Sequence, residues 1–457
     1  MIERDLLEKY NTAVPRYTSY PPANFFHEEF SVNDYRSMLV SSNQEQPENI
    51  SIYLHTPFCP RLCFYCGCNT TITHNSKMIN AYMDALKKEI GMVARLLGKS
   101  RKVSQIHWGG GTPNALDTEV IAPIMDLIRE NFNFRENAEI AMECSPAYLN
   151  HDYLDELMVM GFNRFSLGIQ DFRKDVLKAV NRAEPAMPVK EIMEYIREKS
   201  DAGINLDFIY GLPLQSVESF RDTIREAAAL KPDRLVTFSY AHVPWFKEAQ
   251  KNLEKYGLPD ADDKLQMFEA GYKVMTEAGY TPIGLDHYAR PEDELSKALE
   301  NKSLHRNFQG YCTRETTGQV YAFGTSAISQ LHSAYAQNTK SVPAYIQSID
   351  EGEFAVVKGY KLKLDQIVVR EVVNEIMCNQ FLSWPNISER LGVNESVIRQ
   401  MVEPNEEIMK EFESDGLIRI NAEGFEVVGN GRFFIRNIAA SFDPMLKTGQ
   451  KNFSKSI

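Results

Sequence analysis

Four of the seven cysteines in this 457-residue chain stand within ten residues, at Cys59, Cys63, Cys66 and Cys68. Cysteines that only fill a hydrophobic core usually occur singly, so this group points to a site built from thiols. Four kinds of site use clustered thiols: a disulfide framework, a structural zinc ion, a redox dithiol and an iron–sulfur cluster. The fold must place this segment where such a site can form.

The spacing of the cysteines favours one of these sites. Disulfide frameworks occur in small secreted chains with cysteines throughout, whereas this chain is long and poor in cysteine. A structural zinc site would need a second ligand pair about 12–20 residues further on, and His74 is nearby but alone. The pattern C-x3-C-x2-C supplies three thiolates on one tight loop. It favours a 4Fe–4S cluster whose fourth iron stays open to an exchangeable ligand.

Charge and hydropathy limit the class of protein. The formal net charge of −12 argues against a nucleic-acid-binding protein, whose surface would be basic. The first residues, MIERDLLEKYN, carry charges where a signal peptide has an apolar segment, and there is no apolar run of about 18 residues. We therefore expect a cytoplasmic protein, in a compartment that keeps thiols reduced, with no nucleic-acid or membrane partner. We also expect a monomer.

From residue 50 to about residue 290, short apolar runs alternate with amphipathic stretches. The runs are ISIYLH, VSQIHW, AEIAME, FNRFSLG, INLDFIY, DRLVTFS and YTPIGLD. Predicted helices fall between them, for example over residues 79–97, 189–201, 217–230 and 263–278. Such alternation predicts βαβ units with a parallel sheet, and six or more units predict a full or partial (β/α) barrel.

Polar residues and glycines follow these runs where each predicted strand ends. Barrel enzymes place their chemistry at the carboxyl ends of the strands, so we expect these residues to surround one site. In strand order they are His55 with the cysteine loop, Gly109–Gly110–Gly111–Thr112, Glu143, Gln170, Asp207, and Tyr240–Ala241–His242.

The chain outside the barrel divides into two further parts. We predict an N-terminal arm over residues 1–48, a barrel over 49–350 and a lid-like C-terminal domain over 351–457. Residues 15–26, PRYTSYPPANFF, predict an extended segment. The C-terminal part predicts a helix over 364–382, shorter helices and a β-hairpin, which together resemble a winged helix. Its helices carry acidic residues such as Glu395 and Glu403, which would repel DNA.

C-x3-C-x2-C directly after an apolar strand resembles the radical S-adenosylmethionine (SAM) superfamily. The strings RYTSYP, YLHTPFCPRLCFYCGC, HWGGGTP, GLDHYARP and HRNFQGY are similar to its oxygen-independent coproporphyrinogen III dehydrogenase branch. The likeness covers nearly the whole chain and implies a radical SAM barrel, one 4Fe–4S cluster and two SAM molecules. It implies cluster ligands Cys59, Cys63 and Cys66, and cofactor contacts from Tyr53, Tyr65, Gly110, Gly111, Thr112, Glu143, Gln170, Arg182, Asp207, Ala241, Phe308, Gln309 and Ile328.

The resemblance implies more specific roles for some of these residues. Phe308, Gln309 and Ile328 would bind the second SAM. A carboxylate such as Asp207 suits ribose hydroxyls, and the planar fork of Arg182 suits a carboxylate. No residue beyond those that hold the cluster and SAM is assigned to catalysis.

The resemblance implies a radical SAM oxidoreductase of haem biosynthesis. Such an enzyme decarboxylates two propionates of coproporphyrinogen III to vinyl groups, giving protoporphyrinogen IX, and takes electrons from a low-potential flavodoxin- or ferredoxin-like donor. The sequence departs from the branch at Ser145 and Ala147, where E-V-D-P-R is usual. Two alternatives follow: a related radical enzyme that acts on haem, and a haem chaperone, whose branch usually lacks the RYTSYP arm and the fourth cysteine.

Overall fold

A twelve-stranded sheet runs through the computed structural model, which describes residues 2–45, 49–313 and 319–447. The strands are β1 (Ile50–Thr56), β2 (Lys102–Gly110), β3 (Asn133–Cys144), β4 (Arg164–Gln170), β5 (Gly203–Tyr210), β6 (Arg234–Ser239), β7 (Thr281–Ile283), β8 (His287–Ala289), β9 (Gln319–Phe323), β10 (Ile328–Gln330), β11 (Ala334–Asn338) and β12 (Val356–Lys361).

The order of the strands in the sheet is β12-β11-β10-β9-β1-β2-β3-β4-β5-β6-β8-β7. Strands β1 to β6 are mutually parallel and adjacent, and β9 also runs parallel to β1. The outer strands at both edges are antiparallel. Six parallel strands in an open sheet confirm the predicted partial (β/α) barrel.

Helices cover the outer face of the sheet and pack it into one large hydrophobic core. Those up to the end of the barrel are α1 (Arg4–Tyr10), α2 (Val32–Ser41), α3 (Ser76–Ala94), α4 (Thr118–Asn131), α5 (His151–Val159), α6 (Lys174–Ala179), α7 (Val189–Lys199), α8 (Val217–Ala229), α9 (Lys251–Glu254), α10 (Ala261–Glu277), α11 (Glu294–Glu300) and α12 (Val342–Asp350).

The alternation of residues along the parallel strands explains why the barrel interior is polar. Side chains of a strand point alternately to its two faces. In β4 and β5 the apolar residues of one face, such as Phe165 and Leu206, are fully buried in the core that the helices cover. The other face carries Ser166, Asn205 and Asp207, which line the interior cavity.

Two predicted elements differ from the structure. The run YTPIGLD is predicted to form one more strand of the parallel series, and this prediction is wrong. Only Thr281–Ile283 is extended, and the chain then turns back as the antiparallel strand β8. Gly284 at this turn has a φ of +62°. The helix predicted over 364–382 ends at Asn379, since Gln380 adopts a left-handed conformation with φ +57°.

The C-terminal part packs around a second hydrophobic core, to which the arm contributes Leu6, Tyr10, Tyr17 and Tyr20 and α10 contributes Phe268. It contains α13 (Leu364–Asn379), α14 (Trp384–Leu391), α15 (Glu395–Val402), α16 (Glu406–Ser414) and α17 (Ile435–Ala440). Its small sheet pairs Phe381–Ser383 and Ile418–Ile420 on either side of Gly424–Val427. This arrangement confirms the predicted hairpin and the mostly helical, winged-helix-like character of the region.

The N-terminal arm connects the C-terminal part to the barrel. The hydroxyl groups of Tyr17 and Tyr20 donate to the two carboxylate oxygens of Asp443 at 2.9 and 3.0 Å. His27 then pairs with Gly359 of β12. Residues 15–26 contain no α-helix but are less extended than predicted, because Tyr17 has a φ of +50°, residues 18–21 bend and Ala23–Phe25 forms a 3-10 turn.

The three-domain division stays a prediction. The boundary predicted at residue 48 and the end of the C-terminal region, residues 448–457, lie outside the described residues. β12 follows the boundary predicted at residue 350 and still belongs to the main sheet. Among the helices of the described segments, none combines the length and apolarity that a membrane span requires.

Candidate active site

A cavity of about 370 Å³ opens at the carboxyl ends of the parallel strands. The cysteine loop forms one wall. The hairpin of Leu304–Asn307 and Gly310–Thr313 forms another. Twelve of the residues predicted for the site line this cavity: Cys59, Cys63, Tyr65, Cys66, Gly110, Gly111, Thr112, Glu143, Gln170, Arg182, Asp207 and Gln309. Parallel strands bring these residues together because their carboxyl ends share one edge.

Backbone hydrogen bonds hold the cysteine loop in shape. Phe58–Cys59 pairs with Thr71–Ile72, which closes the loop at its base. The amide of Phe64 donates to the carbonyl of Val180 at 2.9 Å, and the side chain of Asn181 donates to the carbonyl of Leu62 at 2.8 Å. These contacts come from the segment after β4, so the loop is anchored to the barrel at its base and along its length.

Two further bonds attach the cysteine loop to the segment after β6. Lys247 Nζ donates to the carbonyl of Cys68 at 2.7 Å, and Gln250 Nε2 donates to the carbonyl of Tyr65 at 3.2 Å. Gln250 also donates to the carbonyl of Ala241. Ala241 is exposed and does not line the cavity. Its carbonyl shares the Gln250 side chain with the carbonyl of Tyr65 in the cysteine loop.

The three predicted cluster ligands face the cavity with different partners. Thr112 Oγ1 donates to Cys59 Sγ at 3.3 Å, and Arg182 Nη1 approaches Cys63 Sγ at 3.7 Å. A hydrogen bond from the Cys68 thiol lowers the pKa of Cys66. All seven cysteines are free thiols.

The donor set fits an iron–sulfur cluster in its chemistry. Four thiols of one loop, those of Cys59, Cys63, Cys66 and Cys68, line one cavity, and thiolates are the usual ligands of such clusters. A hydroxyl and a guanidinium that donate to the sulfurs stabilise negative charge there. Within residues 2–45, 49–313 and 319–447, no three His, Cys, Asp or Glu side chains lie close enough together to hold a single metal ion.

Glu143 is held by two donors at the end of β3. His107 Nε2 lies 2.9 Å from Glu143 Oε1, and the amide of Gly110 donates to Oε2 at 3.0 Å. Burial alone would raise the pKa of Glu143, but the hydrogen bond and charge of His107 lower it. Burial would likewise lower the pKa of His107, and Glu143 raises it. The pair therefore favours a carboxylate that faces the cavity.

The glycine segment allows the backbone to approach its neighbours closely. A Cβ on Gly109 would lie 2.6 Å from Glu143 Oε1, and one on Gly110 would lie 2.7 Å from the His55 ring. Gly110 also has a φ of +114°, which side-chain-bearing residues rarely adopt. Only glycine fits here, and the bond from the Gly110 amide to Glu143 depends on this geometry.

Asp207 and Arg182 present opposite charges to the cavity. Ser166 Oγ and Asn205 Nδ2 each donate to Asp207 at 2.8 Å, while burial raises the pKa of Asp207. Arg182 donates to the carbonyl of Gly168 as well as approaching Cys63. A carboxylate oriented by such bonds suits hydroxyl donors, and the guanidinium suits a carboxylate ligand.

Besides Ala241, three predicted contact residues lie outside the cavity lining. Tyr53 stacks on the ring of His107, with the two ring centroids 5.9 Å apart, and so contacts the partner of Glu143. Phe308 and Ile328 belong to a small apolar cluster with Phe26 of the arm and Tyr335. Gln309, beside Phe308, lines the cavity itself.

Charged residues in the lower part of the barrel are a feature that the sequence analysis missed. Arg164 donates to Glu139, and Arg234 lies 3.7 Å from the same carboxylate and 3.0 Å from Asp293. The charges of both arginines lower the pKa of Glu139 against the effect of burial. The available signal was the presence of charged residues within otherwise apolar strands.

The segment that departs from the family pattern lies beside the cysteine wall. The amide of Ser145 donates to Asn114 Oδ1 at 2.8 Å, and its carbonyl accepts from Asn114 Nδ2 at 2.9 Å. Ser145 lines the cavity, whereas Ala147 belongs to the short 3-10 helix Pro146–Tyr148. The side chain of Asn114 therefore holds the backbone at Ser145.

Comparison with known proteins gives concordant results. The Radical SAM superfamily model matches residues 53–227. The oxygen-independent coproporphyrinogen III oxidase of Synechocystis is 41% identical, with 99% of this chain and 97% of the relative covered. The protein of the same name from Escherichia coli K12 is 39% identical, with 99% and 98% covered.

A solved structure agrees over the same extent. The coproporphyrinogen III oxidase of Escherichia coli, described as a radical SAM enzyme, superimposes with a TM-score of 0.89 at 38% sequence identity. The match covers 97% of this chain and 99% of that chain. The chain therefore belongs to the oxygen-independent coproporphyrinogen III oxidase family of radical SAM proteins.

Proposed function

We propose that this radical SAM enzyme converts coproporphyrinogen III to protoporphyrinogen IX without oxygen. Each of two propionate side chains loses one hydrogen atom, one carbon dioxide and one electron, and becomes a vinyl group. The proposal rests on one cavity that is lined by the cysteine loop, by Glu143 with its partner His107, and by the hairpin that contains Gln309. The chain is also 41% identical to a named oxidase over nearly its whole length.

The residues of this cavity have separate tasks in the proposal. Cys59, Cys63 and Cys66 would hold the 4Fe–4S cluster. When bound, the cluster and SAM supply a carbon-centred radical that takes the hydrogen atom from the substrate. The Glu143 carboxylate would accept hydrogen bonds from the SAM ammonium group, and Arg182 would pair with the SAM carboxylate.

The remaining predicted residues would orient the ligands. Asp207 would accept hydrogen bonds from ribose hydroxyls, since its carboxylate faces the cavity beside Ser166. Gln309 would contact a second SAM, with Phe308 and Ile328 supporting it from the apolar cluster behind. With the ligands bound, the walls would exclude water, so that a reactive radical would meet only the substrate.

Further parts of the proposal concern the surroundings of the enzyme. We propose that a low-potential carrier of the flavodoxin or ferredoxin class delivers the electron. The substrate electron left after decarboxylation passes to a one-electron acceptor. We also propose that the enzyme works in the cytoplasm and as a monomer.

An anaerobic turnover assay tests the proposed function. Reconstituted protein, a low-potential reductant, SAM and coproporphyrinogen III are incubated, and tetrapyrroles and 5′-deoxyadenosine are then quantified. Protoporphyrin together with deoxyadenosine is the expected result. Deoxyadenosine without protoporphyrin would reject this substrate and favour an enzyme that acts on another tetrapyrrole, haem being the first to test. An intact cluster without either product would favour a haem chaperone.

A further inference from the structure

Four basic residues from separate parts of the chain meet where the arm, the barrel and the C-terminal region come together. They are Arg16 of the arm, Lys264 of α10, Arg306 of the hairpin strand Leu304–Asn307, and Arg436 of α17. We call them the rim cations. Arg436 Nε donates to the carbonyl of Pro15 at 3.0 Å, directly before Arg16. Lys264 Nζ donates to the carbonyl of Tyr240, after β6, at 2.8 Å.

The rim cations are close enough to act on one another. Burial, followed by the positive charges of Arg16 and Arg306, lowers the pKa of Arg436 to about 10. Burial and then the charge of Arg16 lower the pKa of Lys264. Like charges disfavour each other's charged form, so the protein accepts an electrostatic cost at this place. Such a cost is unexpected in a chain with a net charge of −12.

Tyr311 and Asp286 raise the pKa of Arg306 against the effect of burial, so this member of the group already has an acidic neighbour. Within the described residues, neither Arg16, Lys264 nor Arg306 forms an ion pair, and Arg306 Nε is buried without a hydrogen-bond partner. Asp286 is bonded by His287 at 2.7 Å. Both oxygens of Asp443 accept from the tyrosines of the arm. The charges of Arg16 and Lys264 are therefore available to a ligand, and Arg306 shares its charge with Asp286.

The rim cations adjoin the candidate active site. The Arg306 guanidinium lies 5.0 Å from the ring centroid of Tyr311, and Tyr311 lines the cavity. The charge of Arg16 acts on Tyr210, the last residue of β5, as does the charge of Asp286. A ligand that extends out of the cavity at this edge would meet the cations.

Carboxylate is the ligand chemistry that fits such a group. Guanidinium groups pair with carboxylates in a bidentate manner, and an ammonium group adds a point charge. We propose that Arg16, Lys264 and Arg306, backed by Arg436, bind propionate carboxylates of the tetrapyrrole that stay outside the reaction. This inference rests on the proposed function, because it assigns a second contact region to the same substrate.

A binding assay without turnover tests this inference. The probe is coproporphyrin III, the air-stable oxidised form with four carboxylates, titrated against protein with a reconstituted cluster and followed by fluorescence. Arg16→Gln should weaken binding about tenfold, the effect of losing one charged hydrogen bond. Lys264→Gln should act in the same direction, and Arg16→Lys should retain most of the affinity. The matched control is Arg4→Gln, an exposed charge on the arm that should leave binding unchanged.

Two further titrations show whether the cations bind the carboxylates of the porphyrin or the carboxylate of SAM. The tetramethyl ester of coproporphyrin III carries no charge, so its binding should be insensitive to Arg16→Gln. SAM also carries a carboxylate, and its affinity should not change in either variant. Loss of SAM affinity with unchanged porphyrin affinity would overturn the inference and assign the cations to SAM.

The remaining outcomes also decide the matter. Equal affinities of wild type, Arg16→Gln and Lys264→Gln for coproporphyrin III would overturn the inference, even if the wild type completes turnover and the proposed function stands. A wild type that neither binds coproporphyrin III nor converts coproporphyrinogen III would reject both. If Arg16→Gln proves unstable by circular dichroism, Lys264→Gln replaces it in the titrations with coproporphyrin III and with the tetramethyl ester, and these two titrations decide.

Discussion

The Nε2 atom of His107 lies 2.9 Å from the Oε1 atom of Glu143, across neighbouring strands β2 and β3. This contact couples two titrating groups in opposite directions, since the pKa of the histidine is raised and that of the glutamate is lowered. Tyr53 of β1 stacks on the same imidazole. Three adjacent strands thus contribute to the orientation of one carboxylate.

We predict a pH window for the stability that this pair contributes. A histidine with a raised pKa stabilises the fold fully below its unfolded value, 6.5, and this contribution is lost as the pH rises through the folded pKa. A glutamate with a lowered pKa stabilises fully above 4.5 and loses the contribution as the pH falls. The pair should therefore contribute most between about pH 4.5 and 6.5.

The measurement is urea unfolding of cluster-free wild type and His107→Gln across this pH range. Their difference in free energy of unfolding should be greatest within the window and shrink above it. It should be roughly 1 kcal/mol or less, because Glu143 is partly exposed and solvent screens the pair. A difference that is constant from pH 5 to pH 9 would contradict a charged pair.

Ligand assignment gives a second prediction, at the cysteine loop. Cys63→Ser should lose the cluster, because each of the three loop thiols would hold one iron. Cys68→Ser should keep full iron content, since Cys68 is the one member of the group outside the C-x3-C-x2-C pattern. Iron and sulfide per chain, measured after anaerobic reconstitution, check this. Iron loss in Cys68→Ser comparable to that in Cys63→Ser would make Cys68 a ligand.

The positions of many site residues could be predicted because parallel strands translate sequence order into spatial order. Glu143, Gln170 and Asp207 follow successive apolar runs, so their convergence needs only the strand pattern. Contacts between residues far apart in the sequence could not be predicted in this way. The turn at Gly284 lies against the Tyr311 hydroxyl, 27 positions further on, which a local pattern does not contain.

Contacts between distant parts of the chain also explain why some predicted site residues do not line the cavity. Ala241 follows β6 as predicted, but the Gln250 side chain donates hydrogen bonds both to its carbonyl and to the carbonyl of Tyr65 in the cysteine loop. Phe308 is adjacent to Gln309 in sequence, yet it packs against Phe26 of a distant arm. Neighbours along a turn can face opposite directions, and only tertiary packing decides which one lines a cavity.

A third prediction concerns the backbone of the glycine segment. Gly110→Ala would place a Cβ 2.7 Å from the His55 ring and 2.8 Å from the Thr56 carbonyl, in a left-handed conformation. The free energy of unfolding should fall by about 2 kcal/mol or more, and SAM binding should be lost with the bond to Glu143. Denaturant unfolding and SAM titration measure the two effects.

The matched control is a glycine in an ordinary helical position. At Gly91 of α3 an added methyl group would meet only the Arg95 guanidinium, at 3.6 Å, so alanine fits. Gly91→Ala should stabilise the protein by roughly 0.5–1 kcal/mol, because alanine is the better helix former. Equal destabilisation by Gly110→Ala and Gly91→Ala would contradict the prediction that close backbone contacts at Gly110 exclude a side chain.

The last prediction concerns Glu89, a carboxyl group of α3 that is only 1% exposed. It accepts hydrogen bonds from the Gly324 amide at 2.8 Å, Asn338 Nδ2 at 2.7 Å and the Tyr345 hydroxyl at 2.6 Å. Burial outweighs these bonds and raises the pKa of Glu89 to about 7. Between pH 4.5 and 7 the unfolded chain therefore binds fewer protons here than the folded chain, and stability falls as the pH rises.

The size of this loss follows from the pKa difference and amounts to roughly 3 kcal/mol over the interval. Glu89→Gln cannot titrate, so the variant should lack this part of the pH dependence. It should also place an amide group against donors that now bond the carboxyl oxygens, and so be less stable than wild type at pH 5, where Glu89 is protonated. Unfolding curves of the two cluster-free proteins at pH 5 and pH 8 give the comparison. If the difference between them is the same at both values, Glu89 is already ionised at pH 5 and the three hydrogen bonds outweigh its burial.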